Sequence, residues 1–356
     1  MSQTQQPFSC IYSPNVPELL TELGCSIVIS TYQAGKLVFI SAKDRTRLVQ
    51  LGKTIQKPMG VAFDGERLAI AGKEHVFIYS SAPMLAKGYQ RQPDTYDNIF
   101  VPRAQYYTSL LDIHDLVWID DKLLMVNTRF SCLCWLDNAY NFLPFWRPKF
   151  ITELMPEDCC HLNGVAIKNN KPEFVSMLGI SNEPGGWRNN KAKGGVIIDV
   201  ESGEVVANDL AMPHTPRLIN DALHVLLSAS GELIKVDVET GKFDVIKKFG
   251  GYVRGMAYHK GFLFVAYSKI RENSSSFSDL PIAATSTEAG IAIMHFESGN
   301  IVGEIKYQNS VEEIYDVQVI ANTRPGMVNF DQQEKDLAIS LPDTAFWGII
   351  SEEKST

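Results

Sequence analysis

The sequence reads as an all-β chain folded into a six-bladed β-propeller, and three observations lead there. First, a short polar lead-in running into an apolar segment occurs six times. The copies are Lys57-Pro58-Met59-Gly60-Val61, Asp112-Ile113-His114-Asp115-Leu116, His161-Leu162-Asn163-Gly164-Val165, His214-Thr215-Pro216-Arg217-Leu218, Tyr252-Val253-Arg254-Gly255-Met256 and Glu313-Ile314-Tyr315-Asp316-Val317. Second, their Gly, Asp or Arg anchors fall at 60, 115, 164, 217, 255 and 316, giving intervals of 55, 49, 53, 38 and 61 residues. Such spacing suits one four-stranded blade per interval. Third, three strand-like runs precede the first copy, and the last copy follows the final full unit alone. Pairing the two ends would close a circle and leave no open edge. A seventh blade is the alternative, because apolar runs at 337–339 and 347–350 have no place in the count of six.

In chain order, residues 1–24 read as an arm with helical character at 17–23. Residues 25–350 form one propeller domain and 351–356 a tail. Strand-like runs at 26–32, 36–41 and 47–51 are separated by Gln33-Ala34-Gly35 and Lys43-Asp44-Arg45. Alternation of apolar and polar residues between turn residues is the signal used for each. The next unit has runs at 60–63, 67–71 and 75–79, followed by what reads as an irregular insertion over 81–111. A third unit has runs at 116–119, 123–127 and 132–136, with an aromatic, proline-bearing outer part at 142–148. The fourth begins at His161 and continues through 174–178 and 195–200. The fifth has runs at 218–219, 224–228, 233–238 and 243–248. The sixth has runs at 255–259, 262–268, 291–296 and 302–307, with a long polar loop over 269–288.

Composition narrows the function classes. Hydrophobic residues make up 45% and charged residues 21% of the 356, which fits a globular chain with a large core. The first ten residues lack the basic-then-apolar pattern of a secretory signal. No apolar run approaches the roughly 20 residues needed to cross a bilayer, so the expectation is a cytoplasmic protein with no membrane partner. A net charge of −8 without a long Lys/Arg run argues against nucleic acid. The six cysteines read as buried apolar side chains, Cys132 and Cys134 sharing one strand face.

The lead-ins carry the candidate site. Alternate residues of a strand share a face, so residues one and three before each anchor belong together. They are Met59, His114, Asn163, Pro216, Arg254 and Tyr315, with Lys57, Asp112, His161, His214, Tyr252 and Glu313. Innermost strands line a propeller's channel, so these side chains gather at one mouth. Three imidazoles with a carboxylate are a recurrent ligand set for zinc, iron, manganese or nickel. His114, His161 and His214, with Glu313 and Asp112, are therefore candidate ligands of a divalent transition metal. Arg254, Arg129 and Arg188 are candidates for gripping an anionic group, because guanidinium forks match carboxylate oxygens. Asn163 and Asn127 are further candidates for substrate contact, and Arg103, Arg217 and Arg271 also sit beside turn residues. Tyr252, Tyr315 and Lys57 are candidate proton donors or acceptors. Serine-hydrolase and phosphate-loop motifs are absent from the sequence. A nucleophilic Cys160 is disfavoured because alternation points it away from His161.

Several runs also resemble a conserved family of bacterial propeller-like proteins. They are Val126-Asn127-Thr128-Arg129-Phe130-Ser131-Cys132-Leu133, Glu157-Asp158-Cys159-Cys160-His161-Leu162-Asn163-Gly164 and Met212-Pro213-His214-Thr215-Pro216-Arg217, together with Gly186-Trp187-Arg188, Val253-Arg254-Gly255 and Ser268-Lys269-Ile270-Arg271-Glu272. The resemblance covers residues 28 to 325. It departs at Cys159, where that family carries Arg, and at Thr215, where it often carries Ser. It implies the fold and the site, but no reaction. The expectation is a metal-dependent lyase or hydrolase acting in the channel on a small carboxylate-bearing, sugar-like or peptide-like molecule. The alternative is a non-catalytic propeller that binds an anionic metabolite or peptide at the mouth.

Overall fold

The computed structural model describes residues 7–270 and 277–348. Its strands form six antiparallel sheets of four strands, two of them extended by a fifth, arranged as the blades of a propeller. Blade 1 joins the two ends of the chain. Its inner strand, Asp316–Ile320, pairs antiparallel with Ser26–Thr31, which is followed outward by Lys36–Asp44 and Arg47–Thr54. Blade 2 comprises Val61–Phe63, Arg67–Ala71, His75–Ser81 and Asn98–Tyr107. Blade 3 comprises Ile113–Ile119, Lys122–Asn127, Cys132–Trp135 and Leu143–Trp146. Blade 4 is Leu162–Lys168, Lys171–Met177, Gly195–Asp199 and Val205–Leu210. Blade 5 is Pro213–Ile219, Ala222–Leu227, Glu232–Val236 and Phe243–Lys248, and blade 6 is Tyr252–His259, Phe262–Ser268, Ala289–His295 and Asn300–Tyr307.

Six hydrophobic clusters fill the six gaps between neighbouring blades. Val28, Phe39, Val61, Leu68 and Phe100, for example, lie between blades 1 and 2, and Leu226, Leu233, Val253 and Met294 lie between blades 5 and 6. Burying both faces of every blade explains why the strands read as apolar runs rather than as strict alternation.

The blades are also stitched by side-chain hydroxyls. Ser30 donates to the carbonyl of Met59 at 2.6 Å, Thr128 to Leu162 at 2.5 Å, Ser228 to Val253 at 2.6 Å and Ser268 to Ile314 at 3.1 Å. In each case the end of one blade's second strand, or the turn beyond it, holds the lead-in of the following blade.

Along the axis the anchors alternate between glycine and charge. A Cβ at Gly60 would lie 3.0 Å from the Cα of Asp115, and one at Gly255 would lie 2.8 Å from the Cα of Asp316. One at Gly164 would lie 2.5 Å from the Cδ of Pro216. Glycine is thus required where the backbones converge. Between them, Arg217 donates to both carboxylate oxygens of Asp115 at 2.9 and 3.1 Å. Asp316 accepts from the amides of Val61 and Val317 at 2.9 and 2.8 Å.

Three expectations need correction. The insertion over 81–111 is not irregular throughout, because Asn98–Tyr107 is the outer strand of blade 2. The arm is partly integrated: Cys10–Tyr12 adds a fifth strand to blade 6, and helix Val16–Leu23 buries Val16 and Leu20 between blades 6 and 1. That helix is the one expected at 17–23, and it stops at Gly24, whose φ of 63° is easy for glycine. The runs near the C-terminus do not build a seventh blade. Ala338–Ser340 and Ala345–Trp347 form a small hairpin that docks on helix Pro83–Ala86, where the Trp347 indole donates to the Leu85 carbonyl at 2.9 Å. Residues 349–350 lie outside the described residues. Before this hairpin, Pro325–Met327 runs parallel to the outer strand of blade 2 and covers its edge.

Candidate functional site at the channel mouth

The lead-ins of all six blades meet at one mouth, but not by simple strand alternation. Lys57, Asp112, His161 and Thr215 have φ of 48°, 53°, 52° and 48°, so the backbone turns left-handed ahead of the inner strands of blades 2, 3 and 4 and within that of blade 5. Such φ values cost non-glycine residues of order 1–3 kcal/mol and cluster at functional sites. The kink decides which lead-in residue faces the channel. In blade 3 it is His114, with Asp112 left exposed. In blades 4 and 5 it is His161 and His214, and in blades 6 and 1 it is Arg254 and Tyr315.

The rings touch across blades. His114 meets His161 edge to face with centroids 4.7 Å apart, and meets Tyr315 at 5.3 Å. Arg254 lies with its Cζ 5.0, 5.1 and 5.8 Å from the ring centroids of Tyr252, Tyr315 and Phe277. It is 6% exposed, and it donates to Glu313 at 2.7 Å and to the Tyr252 hydroxyl at 3.3 Å. Burial works against its charge. The neighbouring Tyr252, Glu313 and Tyr315 outweigh that penalty and hold its pKa above the ordinary value. Lys57 is exposed at the rim, its amine 3.4 Å from the Tyr32 hydroxyl.

All three histidines present the same nitrogen outward. Nδ1 of His114 lies 2.8 Å from the Asp112 carbonyl. Nδ1 of His161 lies 3.0 Å from both oxygens of Asp158. Nδ1 of His214 lies 3.0 Å from the Met212 carbonyl and 2.8 Å from Ser228 Oγ, whose hydrogen is already directed to Val253. Each Nδ1 faces an acceptor, so it carries a ring hydrogen, and in the neutral ring Nε2 holds the lone pair. Burial, followed by the nearby His161, pushes the pKa of His114 well below the usual imidazole range. Burial and the charge of Arg254 do the same for His214. Burial raises the hydroxyls of Tyr315 and Tyr252, keeping both protonated at neutral pH.

Asp158 is the residue that sequence reasoning missed as a partner. It receives His161, the Trp187 indole at 2.9 Å, and Arg188 at 3.5 Å. Trp187 is buried and lies against His161 with centroids 4.3 Å apart, and the Arg188 guanidinium lies over the Trp187 ring, its Cζ 4.2 Å from the centroid. The spacing Asp158-x-x-His161 was visible, but its meaning depends on φ values of 49° and 52° that fold the carboxylate back onto the ring. Ser228 and Phe277 carried no comparable signal.

Other candidates fall in different places. Asn163 accepts from Ser176 at 2.6 Å, and Asn127 accepts from the Phe130 amide at 3.1 Å, closing its own turn. Arg129 sits in that turn, with backbone bonds to Leu111 and Asp158 that hold it at the mouth. Two of the rim arginines do not belong to the rim. Arg217 is on the axis with Asp115, and Arg103 donates to Ser340 near the C-terminal hairpin. Arg271 lies outside the described residues. Glu313 is committed to Arg254, and among the described residues no group of three or more His, Cys, Asp or Glu side chains is placed to hold a metal ion. Cys160 points into the core between blades 3 and 4, where burial pushes its thiol up to about 12. Among the described residues, no helix is long and apolar enough to cross a membrane.

Fold and site together define a six-bladed propeller with a buried polar mouth. The chain belongs to the family described as a domain of unknown function, DUF4915, whose model matches residues 14–328. No curated protein matches the sequence. Among solved structures, it is similar to a protein of unknown function from Bacteroides caccae at 10% identity and a TM-score of 0.52, covering 83% of this chain and 98% of that one. A nidogen/laminin complex chain is similar at 9% identity and a TM-score of 0.48, over 84% of this chain and 99% of that chain.

Proposed function

We propose that the protein binds a small carboxylate-bearing molecule in the mouth of its channel, with Arg254 as the recognising group. The observation that carries this reading is the state of that guanidinium. It is almost fully buried and packed among three aromatic rings, and among the described residues its Nε has no hydrogen-bond partner. A guanidinium has five N–H donors and matches a carboxylate two at a time. Glu313 and Tyr252 occupy only part of that capacity.

The Tyr315 hydroxyl and His214 Nε2, both beside Arg254, are likewise buried and unpartnered among the described residues. An unsatisfied buried polar group costs about 1–3 kcal/mol, which a ligand's own polar groups would offset. The set holds donors and acceptors together, which favours a hydroxylated acid over a purely apolar one. Exposed Arg188, beside Asp158, and half-buried Arg129 would add positive charge near the rim.

A panel of uronic acids, 2-hydroxy acids and short peptides, screened by thermal unfolding of the full chain, tests the reading. A ligand at 100 times its Kd should stabilise by about 2.7 kcal/mol, and Arg254→Gln should abolish the shift. No stabilisation by any member, or an unchanged shift in Arg254→Gln, would overturn it. A transition metal is the rival occupant. Metal content in stoichiometric amount, lost in both His161→Ala and His214→Ala, would replace the carboxylate reading.

A further inference from the structure

We infer that His161, oriented by Asp158, removes a proton from the bound molecule, so that the site is a lyase centre for carboxylates bearing a leaving group at the β-carbon. The inference rests on the carboxylate reading above and extends it from binding to chemistry.

The geometry is that of an oriented general base. Both carboxylate oxygens of Asp158 lie 3.0 Å from Nδ1 of His161, which fixes the ring and leaves Nε2 as the basic atom. Asp158 is itself fixed by the Trp187 indole, and the face of His161 is covered by the Trp187 ring, so the imidazole has little freedom to turn. The His161 side chain is 12% exposed, less enclosed than His214 and open enough to meet a ligand. His114 touches both His161 and Tyr315, and Tyr315 lies beside Arg254, so base, neutral imidazole, hydroxyl donor and guanidinium ring the same mouth. Asp158 and Trp187 are positioning residues here.

With the ligand's carboxylate on Arg254, the most acidic C–H is the one beside that carboxylate. His161 Nε2 takes this proton, and the C–H electron pair moves into the carboxylate to form an enediolate. Arg254 and the protonated Tyr315 hydroxyl stabilise the added negative charge, the role of preorganised donors in such reactions. The electron pair then returns to form a carbon–carbon double bond, and the β-oxygen bond breaks. The leaving oxygen takes the proton from the imidazolium of His161. The C–H pair has become the new π bond, the C–O pair has left with the oxygen, and one proton has passed from carbon to that oxygen through His161, so no oxidant or other reactant is needed.

The test uses the full chain with a panel of β-hydroxy and β-alkoxy carboxylates in D2O, followed by proton NMR. Saturation-transfer difference spectra report binding, and loss of the α-proton signal or growth of an alkene signal reports chemistry. The inference expects α-proton exchange or elimination for at least one bound acid, reduced at least about 100-fold in His161→Gln. Asp158→Asn should reduce it too, while moving the His161 ring nitrogens in histidine 15N spectra toward the other tautomer. Binding without exchange in the wild-type chain would overturn the lyase assignment and leave the binding reading standing. Exchange that survives in His161→Gln would overturn the base assignment. Absence of binding by every acid would overturn the binding reading itself, and this inference with it.

Discussion

A half-buried arginine, Arg217, and two buried aspartates, Asp115 and Asp316, decide much of the axis. Arg217 meets Asp115 with two hydrogen bonds, and removing one partner of a buried pair leaves an uncompensated charge. Arg217→Ala should therefore cost about 3–5 kcal/mol, read as a lower midpoint in urea; a loss below about 1 kcal/mol would mean that the pair behaves as a surface bridge. Asp316 gives a pH signature. Burial, and the charge of Asp115 beside it, raise its pKa to about 7 in the folded chain, against about 3.9 when unfolded. Between those values the folded state holds a proton that the unfolded chain has lost, so this residue's contribution falls as pH rises. His114 and His214 act with the opposite sign. They stay neutral when folded and protonate near pH 6.5 when unfolded, so their contribution falls as pH drops. Asp316→Asn removes only the first effect. Its stability deficit relative to the wild-type chain should shrink between pH 5 and pH 8; a deficit that does not change with pH would show that Asp316 does not hold the proton.

At the scale of an element, the lead-in is the informative unit, and its behaviour explains what the sequence could convey. The repeat of Gly or charged anchor followed by apolar residues was legible because each copy must approach the axis and then enter a buried strand. The histidines were legible as a group because each lies one or three residues before an anchor. What could not be read was the direction each side chain takes, because left-handed φ at Asp112, His161 and Thr215 interrupts the period of two. The same kink hid Asp158 as the partner of His161. The hydroxyl stitches were hidden for another reason: Ser228 and Thr128 look like ordinary turn residues until the neighbouring blade is in place. Ser228→Ala would leave the Val253 carbonyl without its donor and His214 without one of its acceptors. It should cost about 1–3 kcal/mol in thermal unfolding, where Ser202→Ala, in an exposed turn, serves as control. Equal effects from the two would contradict the stitching role.

For the whole molecule, closure is the controlling feature. The expectation of three outer strands first and one inner strand last is met by Asp316–Ile320 pairing with Ser26–Thr31. The blade count was legible for the same reason, because six lead-ins mark six inner strands. The fifth strands Cys10–Tyr12 and Pro325–Met327 were not, since each is only three residues long and one of them is parallel. A chain ending at residue 312 would lack the inner strand of blade 1 and expose the edge of Ser26–Thr31 at the axis. It should fail to unfold cooperatively and should aggregate, as exposed strand edges do; a monomer with a sharp transition near the full-length midpoint would contradict circular closure. Closure also brings Tyr315 and Glu313 to Arg254, so the proposed binding site is complete only when the ring is. The most direct measurement of that site is the long-range 15N spectrum of the histidine side chains, taken on the full chain before and after adding the carboxylate panel. The account predicts that His114, His161 and His214 all begin in the Nδ1–H form and that their Nε2 signals move with ligand, while His75, His224, His259 and His295 stay in place. Movement confined to those four, or no movement when binding is saturated, would contradict a ligand site at the channel mouth.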